Sequence, residues 1–277
     1  MKAGGGVVFV VPRAALIPEA LFRRRRISIR CYSSSFPASR PPEHLNHLLK
    51  VLQLRGEQII SPGAKQGLLP LVVPPSKNNS GSVTALLRWP TASTGMEMSV
   101  VEVRKYGVWL LSKNVGLFPD ILERKVKQHF DKGDHVSAMV TGEFYTKREH
   151  FPGFGRPFVF NAEVLLKVGR NGEAKDSARV ALKSPWWTFG CEYQEVAGMA
   201  QWEDEQIEFI KEKVTDEGRQ EDLKKEKEPA QISLDEAIFL LDLASVEGTW
   251  DACVEKVAGC FCEAGLHDIA KFVLYRD

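Results

Sequence analysis

Cysteine is scarce in this chain, and where it occurs it is poorly placed for chemistry. Cys31, Cys191, Cys253, Cys260 and Cys262 form no C-x-x-C pair, which removes the usual zinc and redox frameworks. Cys253 and Cys260 lie seven apart on one helical face that Cys260 and Cys262 cannot share. A zinc site using them with His267 is the alternative to packing as small hydrophobes, and packing is the expectation: reduced thiols and no metal. Long apolar runs are missing too. The run at residues 7–11 is far too short for a bilayer-spanning helix, which predicts a soluble chain with no membrane span. No glycine-rich loop ends in Lys before Ser or Thr, and Gly153-Phe154-Gly155 lacks the strand-then-helix setting of a dinucleotide site. Ser82 is not framed as a nucleophile elbow. His44 and His47 sit three apart with no Glu or Cys beside them to complete a metal site. Nothing indicates an enzyme, and no catalytic residue, cofactor or metal is expected.

What is present is an ordinary globular composition with its charge unevenly spread. The 277 residues are 44% apolar and 26% charged, enough for one large domain or two small ones. Residues 1–32 hold Lys2, Arg13, Arg23, Arg24, Arg25, Arg26 and Arg30 against the single acid Glu19, and Ser33, Ser34 and Ser35 follow. A basic, acid-poor leader of this kind resembles an organelle transit peptide, with a cut after Tyr32 and Arg30 two residues ahead of it. The alternative is a basic arm for RNA, but such arms usually lack the apolar flank seen at 7–21. Of 37 basic and 36 acidic residues, 30 and 35 remain after the leader, a net charge of −5. That balance gives no general claim on a phosphate backbone and argues against DNA; a local basic patch for RNA stays open.

Patterning divides the rest. Residues 33–62 read as a Ser/Pro linker and a short amphipathic helix carrying Leu45, Leu48, Leu49 and Leu52. Residues 63–170 read as an α+β unit. Strands are predicted at 68–73, ended by Pro74-Pro75, at 83–89, and at 100–111 with Gly107 as a bulge. A helix at 118–133 packs one face, and 135–145 with 158–168 is predicted to form a long hairpin. Residues 171–277 read as a helical domain: a long helix at 192–214, then a charged linker at 211–228. A capping box, Ser233-Leu234-Asp235-Glu236, is predicted to start a buried helix behind the staple Ile232. Thr249 and Gly265 bound the next helix, and a short element begins at Ile269. The fold class is α+β: a small, mainly antiparallel sheet unit with one packed helix, followed by a C-terminal helical bundle.

Two places can carry binding. Phe151 and Phe154 stand on a Gly/Pro-shaped loop beside Lys147, Arg148 and Arg156, either as a protruding contact or tucked beneath the loop. Trp186 and Trp187 are adjacent, so on a regular element one faces outward as an interface anchor; the alternative wedges both between the sheet unit and the bundle. These residues serve a protein partner or, through basic groups and stacking rings, an RNA- or ribosome-associated role.

The stretches "GLLPLVVPPSKNNSGSVTALLRWP", "VVEVRKYGVWLLSKNV", "GLFPDILERKV", "VTGEFYTKREHFPGFGRPFV", "ARVALKSPWWTFG", "AQWEDEQIEFIKEKV" and "LDEAIFLLDLASVEGTW" resemble a land-plant organellar family without enzyme motifs. The likeness spans about residues 65–277. It is to plastid proteins that help build chloroplast ATP synthase by delivering a subunit to its catalytic head. The resemblance implies transient binding of an assembly intermediate, as a partner protein within an organellar complex. Relatives of this kind carry a further helical segment between "LLSKNV" and "GLFPD", where here Val115 runs straight into Gly116. The arginine-rich leader by itself suits the mitochondrial matrix, while the resemblance implies the chloroplast stroma.

Overall fold

The computed structural model describes residues 40–89, 97–104, 107–112, 119–147, 153–202, 208, 211–212 and 215–277, so the predicted transit peptide lies outside the described residues. Five strands form one antiparallel sheet: β1 (Gln58–Ile59), β2 (Val72–Lys77), β3 (Val83–Leu87), β4 (Ser99–Arg104) and β5 (Gly107–Ser112), side by side in sequence order. β3 is buried along its whole length, as its unbroken run Val-Thr-Ala-Leu-Leu requires. Pro74 and Pro75 do not end a strand but lie within β2, where the register shifts between Val73 and Ser76. The irregularity accommodates two residues that have no N–H to give the ladder. Residues 100–111, expected as one strand, are the hairpin β4–β5, with Arg104 paired to Gly107. Gly107 has φ 138°, which supplies the reversal that a side chain would resist.

Helix α1 (Leu45–Leu54) precedes the sheet. After it the chain is helical: α2 (Pro119–Asp131), α3 (His135–Tyr145), α4 (Arg156–Lys167), α5 (Asn171–Ala181), α6 (Tyr193–Ala200), α7 (Asp216–Lys224), α8 (Pro229–Glu247), α9 (Trp250–Glu263) and α10 (His267–Leu274). The hairpin expected at 135–145 and 158–168 is therefore the helix pair α3 and α4. The helix signals were local: Asp134 caps α3 by accepting from Ser137 N at 3.0 Å, and Pro157 stands in the first turn of α4. Apolar positions four apart had been matched to the strand period of two.

Within the expected 192–214 helix, α6 ends at Ala200 with Gln201 left-handed at φ 53°, and the described residues 208, 211 and 212 are again helical. The charged linker contains α7, whose N-cap Thr215 accepts from Gly218 N. α8 starts at Pro229 rather than at the capping box. Ser233 lies inside the helix and its Oγ donates to Glu263 Oε2 of α9 at 3.0 Å. Gly248 and Gly265 close α8 and α9 with positive φ.

Two cores result. Leu69, Leu71, Ala85, Leu87 and Val101 of the sheet region meet Leu234 and Leu241 of α8 and Val257 and Phe261 of α9. Val159, Ala174, Ala178, Leu182 and Val196 of the middle helices meet Phe239 of α8. α8 is apolar nearly all round because it serves both cores, each large buried side chain contributing about 1.5–3 kcal/mol.

Candidate partner-binding surface

Trp186 and Trp187 sit in a 3-10 turn, Trp186–Thr188, between α5 and α6. Both are buried, at 3% and 2% exposure, which is the second of the two expected arrangements: neither faces outward, and both wedge between the sheet core and the helical core. A three-residue turn allows this by sending its side chains into different cores. The Trp186 ring lies 4.4 Å from Tyr193 and 6.0 Å from Phe239 in the helical core. The Trp187 ring lies 5.3 Å from Trp89 in the sheet core, and Trp89 meets Phe154 edge-on at 5.8 Å. Phe154 is thus buried in the sheet core instead of protruding. Asp242 of α8 fixes the turn by accepting from Trp186 N at 2.8 Å, and Thr188 Oγ1 accepts from Gly155 N at 2.8 Å. The role of Asp242 was missed, although an acid inside the run Ile-Phe-Leu-Leu-Asp-Leu-Ala was a visible anomaly on a buried helix.

Arg156 is likewise not a surface cation. Its Nε and Nη2 donate to the two carboxylate oxygens of Glu123 at 2.9 Å each, and its Nη1 donates to Glu163 at 2.7 Å. The side chain is only 13% exposed, and two facing carboxylates raise its pKa despite burial. Tyr145 donates to Glu123 Oε1 at 3.4 Å, and burial holds its hydroxyl above the ordinary value. This network ties α2, α3 and α4 together. Phe151 and Arg148 lie outside the described residues, and Lys147 is exposed with its Nζ 5.2 Å from the Phe144 ring centroid.

Helix α3 exposes apolar side chains on one face. Its inner side is Ala138, Gly142 and Tyr145, packed against α2 and α4 with Val126 and Val164 in contact. A Cβ added at Gly142 would stand 3.0 Å from Asn161 Oδ1, so α3 and α4 approach closely there. The opposite side carries Val136, Val140 and Phe144, at successive four-residue steps and 67%, 61% and 38% exposed. Glu143 and Lys147 flank this stripe. A helix apolar on both faces is normally buried on both; among the described residues, Val136 and Val140 of this one stay exposed. The residues of the stripe were read as a strand face, and the Asp134 cap with the four-residue spacing was the signal that finds it.

Other features are less suited to chemistry. A cavity of about 340 Å³ is lined by Trp186, Cys191, Glu192, Tyr193, Glu247 and Gly248 among others. Burial pushes the Cys191 thiol up to about 12, away from the thiolate form. Cys260 packs inside α9 while Cys262 faces out, and no group of three metal-ligating side chains occurs among the described residues. No helix among the described residues is long and apolar enough to cross a membrane.

Comparison with known sequences assigns the chain along its length. Three family models match in order: the PAB N-terminal model at residues 30–145, the PAB middle domain at 119–203 and the PAB C-terminal domain at 207–275. An Arabidopsis thaliana relative, Protein IN CHLOROPLAST ATPASE BIOGENESIS, chloroplastic, is 55% identical over 332 residues, covering 99% of this chain and 100% of the relative. The aligned length exceeds the 277 residues present here, so the relative carries additional segments. No solved structure matches. The chain belongs to the PAB family, the plant family of that chloroplast ATPase biogenesis protein.

Proposed function

We propose that this chain is a non-enzymatic assembly factor of the chloroplast stroma that holds a protein subunit during ATP synthase biogenesis, using the outer face of α3 as its contact. The observation that carries the reading is the pair Val136 and Val140, apolar residues exposed on a helix whose other face is already packed. Rimmed by Glu143 and Lys147, it has the form of a small interface centre with a charged margin. The relative named for chloroplast ATPase biogenesis supports both the process and the compartment. Trp186, Trp187 and Phe154 support the contact indirectly, by fixing the turn and loop next to α4; Lys147 lies beside it directly. Burial of Phe154 and the engagement of Arg156 by Glu123 and Glu163 weigh against an RNA-associated role.

The test is co-purification from chloroplast extract with wild type and a Val136→Asp, Val140→Asp double variant. Recovery of ATP synthase subunits by the wild type and their loss in a folded variant supports the reading. Equal recovery by both would remove α3 from the interface, and recovery of RNA instead of protein would remove the reading itself.

A further inference from the structure

Where α10 closes against the sheet, two cations, Lys65 and Arg88, stack on one aromatic ring and a third, Arg276, bears on Lys65 through its charge. Lys65 is wholly buried; its Nζ donates to Phe272 O at 2.8 Å and lies 3.7 Å from the Phe272 ring centroid. Arg88, immediately after β3, is 7% exposed, with its guanidinium carbon 4.8 Å from the same centroid. Arg276 follows α10, and its Nη1 pairs with Asp251 Oδ1. Among the described residues, the buried Nε of Arg88 and the buried Nε and Nη2 of Arg276 meet no hydrogen-bond acceptor. Buried donors of charged groups are costly to leave unmade, so three of them in one cluster call for a ligand.

The neighbouring carboxylates do not answer that demand. Asp251 is shared between Arg276 and Gly67 N, the latter at 3.0 and 3.1 Å. Asp268 acts on Arg88 only through its charge. The charges that bear on Lys65 are Arg276 and Arg88, both repulsive.

We propose that Arg88 and Arg276, with the Lys65 ammonium behind them, receive a small oxyanion of the inorganic phosphate class. Planar guanidinium groups present paired N–H donors that match oxyanion geometry, which separates phosphate from a simple halide. The near-complete burial of Lys65 and Arg88 separates a free ion from a nucleotide, whose base and sugar need an open cleft.

The test is titration of the full chain with inorganic phosphate, followed by calorimetry and by phosphorus NMR, against sodium chloride at equal ionic strength and against ATP. Saturable phosphate binding is expected, weakened at least about tenfold in Arg276→Gln and in Arg88→Gln, as loss of a charge-assisted hydrogen bond implies. Arg276, the more exposed of the two, is the variant that decides if Arg88→Gln does not fold. No saturable response of folded wild type beyond chloride overturns the site. Wild-type affinity in folded Arg276→Gln also overturns it, and ATP binding as tightly as phosphate overturns the assignment to a free ion.

Discussion

Gly107 lies directly against the carbonyl of Trp187: a Cβ placed on Gly107 would come within 2.1 Å of Trp187 O. The start of β5 and the tryptophan turn are therefore in backbone contact, and through them the sheet and the helical layers. Gly107→Ala meets this clash and an unfavourable φ at once, so a loss of about 3 kcal/mol or more is expected in urea unfolding. Gly133→Ala is the control. Its φ is 72° and nothing stands within 4 Å of an added Cβ, so only the backbone cost of about 1 kcal/mol is expected.

Arg156 and Glu123 test the junction of α2, α3 and α4. Arg156→Met leaves Glu123 partly buried without its bidentate partner, and a loss of about 3 kcal/mol is expected from thermal or urea unfolding. Arg156→Lys recovers little of it, since an ammonium cannot reproduce the fork to both oxygens of Glu123 and reach Glu163.

Lys65 predicts a pH dependence of definite sign. Burial, then Arg276 and Arg88, lower its pKa from 10.5 to about 8. Between those values the unfolded chain still binds a proton that the folded chain has released, so this group makes stability rise with pH across the window. The penalty is complete below pH 8 and gone above about 10.5, with an upper bound of about 3 kcal/mol. Lys65→Met removes this rise. Subtracting the two unfolding profiles isolates it from Tyr145, whose raised pKa moves stability the other way at the alkaline end.

Thiol labelling checks the packing of α9 and the cavity beside Trp186. Cys262 is exposed, whereas burial pushes Cys260 up to about 11 and Cys191 up to about 12. At pH 8, alkylation followed by mass spectrometry is expected to mark Cys262 first, with Cys260 and Cys191 at least about a hundredfold slower. A Cys260 rate comparable to that of Cys262 would mean that α9 opens readily, and a comparable Cys191 rate that the cavity beside Trp186 does.

The sheet and the C-terminal helices were legible where one period dominated. Val83 to Leu87 is continuous and β-rich, and Val257, Cys260, Phe261 and Ala264 repeat as a helix must, so both were assigned. Residues 135–145 failed because Val136, Val140 and Phe144 satisfy periods of two and four alike, and β-branched valines tipped the reading toward strand. Only the Asp134 cap separated the two. Gly107 was seen as special but as a bulge, since a bulge and a turn both ask for positive φ. Of the site, Arg156 and the two tryptophans were singled out for their chemistry, yet their use in the interior depended on Glu123, Glu163, Asp242 and Trp89, partners remote in sequence. The exposed face of α3 required knowing which side α4 covers, which is a property of the fold and not of the segment.

Hydrogen–deuterium exchange on the full chain, with and without chloroplast ATP synthase subunits, tests the central claim most directly. Slowed exchange of His135–Tyr145 when a subunit is added, absent in the Val136→Asp, Val140→Asp variant, is the expected result. Binding of a subunit that leaves α3 exchanging as in the free chain would contradict the account.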